Sequence, residues 1–377
     1  MTPERSGPLS DIRVLDLGHV VAGPFAGTLL GDLGADVIKI ERPDSGDETR
    51  GWGPPFDARG QSAYFLSVNR NKLSVAASFD VRADRELIER LVSDADVVVE
   101  NFLSGTLERR SLGHRRLRAQ YPSLIWCTIT GFDPDSERPG YDFVVQAERG
   151  WMSITGDRDG APMKTGVALA DVIAGKDAAI AILGALVARA MRGMGRHLTI
   201  SLARSAAAAL VNVAQNVLIT GEDASRWGNA HPNLVPYQLF EAADRPIVVA
   251  VGSDPQWIAC MRALDLSELA ADPTLATNAG RLAQRDRVVR RMAARLREEP
   301  AIVWARRLDG AGVPNGLVKS VLEALREEEA TPLTGVGPSV PGAIRFPPPR
   351  LDEHGKLVRE SGWDAFTKMR KAEAGAL

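Results

Sequence analysis

"IRVLDLGHVVAGPFAGTLLGDLGADVIKIE", residues 12–41, decides the fold. Ile12–Leu17 is a short apolar run bounded by turn residues, the pattern of a buried strand. Phe25, Leu29, Leu30 and Leu33 then fall on one face of a helix, and Gly34 stands where a C-terminal cap belongs. Asp36–Glu41, "DVIKIE", reads as a second strand. The rhythm repeats downstream: "LSVAASF", a helical pattern over Arg82–Ser93, "ADVVVEN" and "SLIWCTIT". Alternating strand and helix implies an α/β domain with a mostly parallel sheet covered by helices, Rossmann-like in outline.

Asp171–Gly193 is the strongest helix of the chain; it is apolar nearly all round, so burial is expected. "RHLTISL" follows as a strand, then an alanine-rich helix over Ala203–Thr220. Composition shifts near Gly221–Asn233, which reads as a connection to a second domain. There, "YQLFEAADRPIVVAVG" gives two strands turning at Asp244–Pro246, and helices are expected near Pro255–Leu264, Ala279–Arg297 and Ala301–Asp309. The expected division is a large domain over 1–205 completed by 331–377, a helical linker over 206–225, and a smaller α+β domain over 226–325. "FPPPR" (Phe346–Arg350) excludes regular structure locally, and the last twenty residues are polar.

Bulk properties narrow the function. The chain has 377 residues, with 46 Lys+Arg against 48 Asp+Glu and a net charge of -2, a balance unsuited to coating nucleic acid or an anionic membrane. The apolar run Ala178–Val187 is too short to span a bilayer, and the first residues lack the basic-then-apolar pattern of a signal peptide. Two distant cysteines, Cys127 and Cys260, argue against a disulfide framework and fit a cytoplasmic protein. The five histidines have no close ligand spacing, so no metal site is expected.

The loop after the first strand, "LGHVVAGPFAG", lacks the GxGxxG spacing of a dinucleotide fold: its glycines are Gly18, Gly23 and Gly27. No P-loop and no GxSxG is present. Ligands of open parallel sheets nonetheless bind at the carboxyl ends of the strands. Those ends carry His19–Pro24, then Arg42 and Arg50, then Asn101, Phe102 and Arg109. Solvated surface charge is one reading of these arginines; a phosphate-bearing ligand held by separate guanidinium groups is the other.

"TGVALADVIAG", residues 165–175, places one acid, Asp171, in an apolar setting at the start of the long helix. It reads as a helix N-cap or as a nucleophile. The helix N-terminus is expected to keep the carboxylate ionised against desolvation, and Gly166 and Gly175 to leave room for substrate. Tyr141 and Asp142, in "PGYDFVVQA", are a second polar pair in an apolar stretch.

The blocks "VLDLGHVVAGPFAGTLLGDLGADVIKIERPDSGDETRGWGPPF", "SAYFLSVNRNKLSVA", "DVVVENF", "PGYDFVVQA" and "GVALADVIAG", together with "GNAHPNLVPYQLF", "TNAGRLAQRD" and "GAGVPNG", resemble the class III CoA-transferase family, whose familiar members include formyl-CoA and carnitine CoA-transferases. The resemblance implies transfer of coenzyme A between carboxylic acids, with acyl-CoA as substrate and no permanently bound cofactor. It implies Asp171 as the residue that forms an aspartyl-CoA intermediate. It also implies a coenzyme A site of His19, Val21, Ala22, Arg42, Asn101, Phe102, Leu103, Arg109, Tyr141 and Asp142, and an interlocked homodimer. His231, Asn233, Tyr237 and Trp151 are further candidates near the acyl end. The chain departs from the family pattern in having Val21 for the glutamine of formyl-CoA transferase, no counterpart of its "GGGGQ" loop in residues 230–260, Asp80 for a lysine common after the third strand, with Arg82 nearby, and Arg204 for an acid. A racemase of the α-methylacyl-CoA type is the alternative on the same fold. Its acid/base pair is His-Asp, where this chain has Tyr141–Asp142.

Overall fold

The computed structural model describes residues 7–134, 136 and 138–375. Its elements begin β1 (Arg13–Asp16), α1 (Ala22–Asp32), β2 (Asp36–Glu41), α2 (Ala63–Ser67), β3 (Lys72–Ala76), α3 (Arg82–Ser93), β4 (Val97–Glu100), α4 (His114–Gln120) and β5 (Ile125–Thr130). They continue with α5 (Asp142–Glu148), α6 (Leu169–Arg192), β6 (His197–Ser201), α7 (Leu202–Ala208) and α8 (Val211–Thr220). The six strands form one parallel sheet in the order β3-β2-β1-β4-β5-β6. The order reverses between β1 and β4, and the crevice outside the strand ends at such a point is where ligands of these sheets bind.

Side-chain alternation along the strands feeds two cores. Val14, Val37, Val97 and Cys127 face one way and pack with Ala26, Leu30, Ala174 and Ala178 of α1 and α6. Leu15, Ile38, Val98 and Trp126 face the other way, toward Leu87 and Leu91 of α3. The polar C-terminal stretch joins this second core: Trp363 and Phe366 are buried there, and the Trp363 indole N–H donates to the Leu91 carbonyl. Helices Gly355–Ser361 and Ala365–Gly375 form in this stretch, where the sequence reading expected only a polar tail.

Helix α6 departs from expectation. One face is buried, but Ile180, Val187 and Met191 are 67%, 64% and 78% exposed in the single chain. A run of apolar residues specifies that a helix needs covering, not what covers it. The alanine-rich helix is also not continuous: α7 and α8 meet at 73°, and Val211, the first residue of α8, lies at φ 42°. Among the described residues no single helix is long and apolar enough to cross a membrane.

The chain divides into two compact units. The larger runs up to Trp151, resumes over Thr165–Gly221, and takes the chain from Glu328 onward. Residues 206–221, expected as a linker, are therefore part of this unit, packed as α7 and α8. The smaller unit is Met152–Lys164 with Glu222–Glu327. Its first segment falls within the expected large domain, because nothing in its composition shows that it joins a unit lying mostly beyond residue 221. The smaller unit has a three-stranded antiparallel sheet, β7 (Tyr237–Glu241), β8 (Pro246–Ala250) and β9 (Asn315–Leu317), in that order. Helices carrying Trp257, Met292 and Trp304 bury their apolar faces in a core with Ile247 and Val249 of this sheet.

Candidate active site

Two cavities open at the carboxyl ends of the parallel strands. One, of about 410 Å³, is lined by the β2–α2 connection, Phe79, Asp80, Thr106 and Arg110. The other, of about 300 Å³, is lined by Val20–Ala22, Asn101–Ser104, Tyr141 and Asp171. His19 and Phe102 belong to the walls of both, so the cavities adjoin. Their rings lie 5.3 Å apart.

Asp171 is the third residue of α6, not its cap: the capping position is Ala168, which contributes no side-chain hydrogen bond. The first-turn amide is satisfied from elsewhere. The Ala170 N–H donates to Asp142 Oδ1 at 2.8 Å, and Gln146 Nε2 donates to Asp142 Oδ2 at 2.6 Å. Gln146 in turn accepts from the Thr165 N–H at 2.9 Å. Asp142 thus caps α6 from a neighbouring helix and ties down the strand of chain leading into it. Asp171 is left half-buried on the cavity wall, and no hydrogen bond from a described residue reaches its carboxyl.

The electrostatic consequence reverses the sequence reading. Burial pushes the Asp171 carboxyl up to about 7, and the Asp142 charge adds to the effect. The helix N-terminus does not hold it ionised: burial outweighs it, and the Ala170 amide is already bonded to Asp142. Tyr64 of α2 is raised by burial and then by the charges of Asp171 and Asp142, which places a phenol near both acids. Its ring meets Trp52 edge-on at 5.0 Å.

The remaining candidates divide. His19, Val21, Ala22, Asn101, Phe102, Leu103 and Tyr141 line the cavity that holds Asp171, and Arg42 lines the larger one. Arg42 pairs with Glu48 at 2.9 Å; Glu48 is held down to about 2, first by His19 and then by Arg42. Arg109 lines neither cavity. Its neighbour Arg110 lines the larger one, paired with Asp80 at 3.0 Å. Arg50 is an internal residue: its guanidinium meets both Glu41 carboxylate oxygens at 2.7 Å and stacks on Phe65. Asp142 acts through the helix cap and lies off the cavity wall. Trp151 is buried in the core, its indole N–H donating to the Ala206 carbonyl. His231, Asn233 and Tyr237 belong to the smaller unit, where the His231 and Tyr237 rings are 5.2 Å apart.

The glycines have structural uses that the spacing does not reveal. Gly18 and Gly23 approach each other so closely that a Cβ on either would lie 3.1 Å from the other's Cα. A Cβ on Gly175 would lie 2.8 Å from the Ala22 carbonyl oxygen, so that glycine seats α6 against α1 and leaves no space for substrate. A Cβ on Gly166 would meet nothing within 4 Å beyond its chain neighbours.

A sequence model of CoA-transferase family III matches residues 9–336. The chain belongs to CoA-transferase family III. It is 40% identical to the succinyl-CoA:glutarate CoA-transferase of Mus musculus over 93% of this chain and 85% of that protein. It is 38% identical to the succinate–glutarate CoA-transferase of Agrobacterium fabrum over 93% of this chain and 95% of that one. The crystal structure of a CaiB/BaiF family protein from Brucella suis superposes with a TM-score of 0.83 at 39% identity, covering 94% of this chain and 99% of the other. As a family III CoA-transferase the protein is an enzyme acting on CoA thioesters.

Proposed function

We propose that this CoA-transferase moves coenzyme A from a dicarboxylyl-CoA thioester to a free dicarboxylic acid through covalent adducts on Asp171. The observation that carries the reading is a half-buried carboxyl on a cavity wall, raised to about 7 and unengaged by any described hydrogen-bond donor. A desolvated carboxylate of that kind is an activated nucleophile. Its attack on the thioester carbonyl breaks the C–S bond, giving a mixed anhydride and the CoA thiolate. The thiolate attacks the aspartyl carbonyl, expels the donor acid and leaves an aspartyl-CoA thioester. The acceptor carboxylate attacks that carbonyl and displaces the thiolate. The thiolate then takes the acceptor's acyl carbon and frees Asp171. Each step exchanges one activated acyl bond for another, so no other energy source is needed. The dicarboxylate assignment is carried over from the two relatives named for succinate and glutarate.

In this reading the larger cavity takes the nucleotide end of coenzyme A, with Arg42 and Arg110 facing its phosphates, and the smaller cavity takes the acyl end. His19 and Phe102 flank the passage between them. Incubating the enzyme with succinyl-CoA and hydroxylamine is expected to convert Asp171 to its hydroxamate, read by peptide mass spectrometry. A label on another carboxylate of active enzyme would overturn the assignment.

The acid limb of kcat/KM follows from the same carboxyl. Only ionised Asp171 attacks, so the rate rises with pH through about 7 and flattens above it. Asp142→Asn keeps an oxygen for the Ala170 amide but removes the like charge. The limb is expected to move to lower pH, by less than the full displacement, because burial is the larger cause.

We also read this family III enzyme as a homodimer. Ile180, Val187 and Met191 form a stripe along α6, and Leu218 and Ile219 of α8 are 77% and 74% exposed. An apolar helical surface of this kind on a soluble enzyme marks an interface, and the two-fold self-complementary case is the commonest. Light scattering behind size exclusion is expected to give about twice the 40.6 kDa chain mass, and Val187→Glu with Met191→Glu is expected to shift it toward one.

A further inference from the structure

The loop between β1 and α1 is strained where it meets the cavity. Val20 lies at φ 65°, a left-handed conformation rarely adopted by a β-branched side chain and held only where surrounding contacts over-determine it. Three side chains supply those contacts. Lys39 Nζ donates to the Gly18 carbonyl at 2.6 Å. Asn101 brackets His19, accepting from its N–H at 2.9 Å and donating to its carbonyl at 2.8 Å. Asp47 Oδ1 accepts from the Val20 N–H at 3.3 Å. Lys39 and Asp47 are themselves an ion pair at 3.0 Å, each 1% exposed.

Neither residue of that pair lines the cavity with Asp171, although both reach the wall of the larger one; Val20, Val21 and Ala22 do line the Asp171 cavity. We propose that Lys39 and Asp47 are positioning residues for acyl transfer: their buried ion pair holds Val20 in the left-handed conformation and so fixes the backbone wall beside the Asp171 carboxyl. The pair sits inside the domain at the base of the β1–α1 and β2 turns, where it joins two strand ends. Asp47 also accepts from Thr49 N and Oγ1, at 3.0 and 2.7 Å, so its orientation is set independently of the loop. Burial works to raise the Asp47 pKa, but the Lys39 charge and the Thr49 donors outweigh it and hold it at about 2. The clamp therefore stays charged across the range in which Asp171 titrates, and loosening it changes geometry without changing the acid limb.

This inference rests on Asp171 being the nucleophile, and the experiment separates the two. Lys39→Met/Asp47→Ala removes both charges together, which avoids stranding one of them in the interior. Its kcat is expected to fall by about 10- to 100-fold, the scale on which a small misplacement at a reacting centre acts. The acid limb is expected to stay unmoved and the hydroxylamine label to remain on Asp171. Adding Val20→Gly, which takes a positive φ without strain, is expected to restore about ten-fold in kcat. A purely structural role would gain nothing from that glycine. Asp47→Asn, close to isosteric with the native side chain, provides a well-folded second variant with a smaller loss that Val20→Gly again repairs. Wild-type kcat in Lys39→Met/Asp47→Ala, or no gain on adding Val20→Gly, would overturn the proposal. Loss of the Asp171 label in wild-type enzyme would overturn the nucleophile assignment instead.

Discussion

Asp171→Ala is expected to lower kcat by at least ~10⁴-fold, the scale of losing a covalent nucleophile, while coenzyme A affinity stays within a few-fold. The structure separates the two properties. The larger cavity, with Arg42 and Arg110, is not lined by Asp171, so a nucleotide held there would keep its partners. The smaller cavity loses its only unengaged carboxyl among the described residues that line it. The isosteric Asp171→Asn sharpens the test. Asp171 is raised in the fold, so between its ordinary value near 3.8 and about 7 the folded protein holds a proton that the unfolded chain has released. Stability contributed by that proton is present at low pH and is lost as pH rises through the folded value. Above pH 7 the native enzyme carries a desolvated charge that the amide variant lacks. Asp171→Asn should therefore be inactive and melt slightly higher, by about 1–3 °C, with the gap closing as pH falls below 5. Thermal melts at pH 5 and pH 8 check the sign. A variant that melts lower at pH 8 would show that the carboxylate is a structural anion and not a strained nucleophile.

Lys72→Met is expected to lower stability by about 3–5 kcal/mol, because removing one partner leaves an uncompensated buried charge. Lys72 is fully buried at the start of β3, and its ammonium donates to Asp16 Oδ2 at 2.9 Å, to the carbonyls of Pro24 and Val68 at 2.6 and 3.0 Å, and to Asn69 Oδ1 at 2.9 Å. Asp16 ends β1, and its other oxygen accepts from the Gly18 N–H at 2.9 Å. Gly27 makes the space: a Cβ there would lie 3.1 Å from Asp16 and 3.4 Å from Lys72. The double variant Lys72→Met/Asp16→Leu is expected to recover part of the loss, since a buried pair replaced whole by apolar groups is often close to neutral. Urea unfolding of the two single variants and the double one measures the coupling. Additive losses would mean that Lys72 contributes through its backbone-carbonyl contacts and not through Asp16.

Both predictions depend on residues that the sequence displays differently. The strands and helices are legible because burial on one or both faces imposes a period, and residues 12–41 carry that period clearly. Asp171 is legible as an acid in an apolar setting, and membership of CoA-transferase family III follows from the blocks around it. Lys39 and Lys72 are equally visible as cations inside apolar strands, a signal that points to a buried partner. Their partners, Asp47 and Asp16, cannot be paired with them from the sequence, since each lies on a different element.

What the sequence by itself determined is the local order: which segments are strands, that a long helix begins close to Asp171, and which acid stands in its first turn. The tertiary structure alone decided that Asp142, from helix α5, takes the amide at that helix end, and that burial, with the Asp142 charge adding to it, pushes the Asp171 carboxyl up. It alone decided that Arg110 and not Arg109 faces the cavity, and that Arg50 is internal. Hydrophobic periodicity is a property of neighbours along the chain. Charge, by contrast, acts through space, and its effect depends on distances between elements and on how much water the packing leaves.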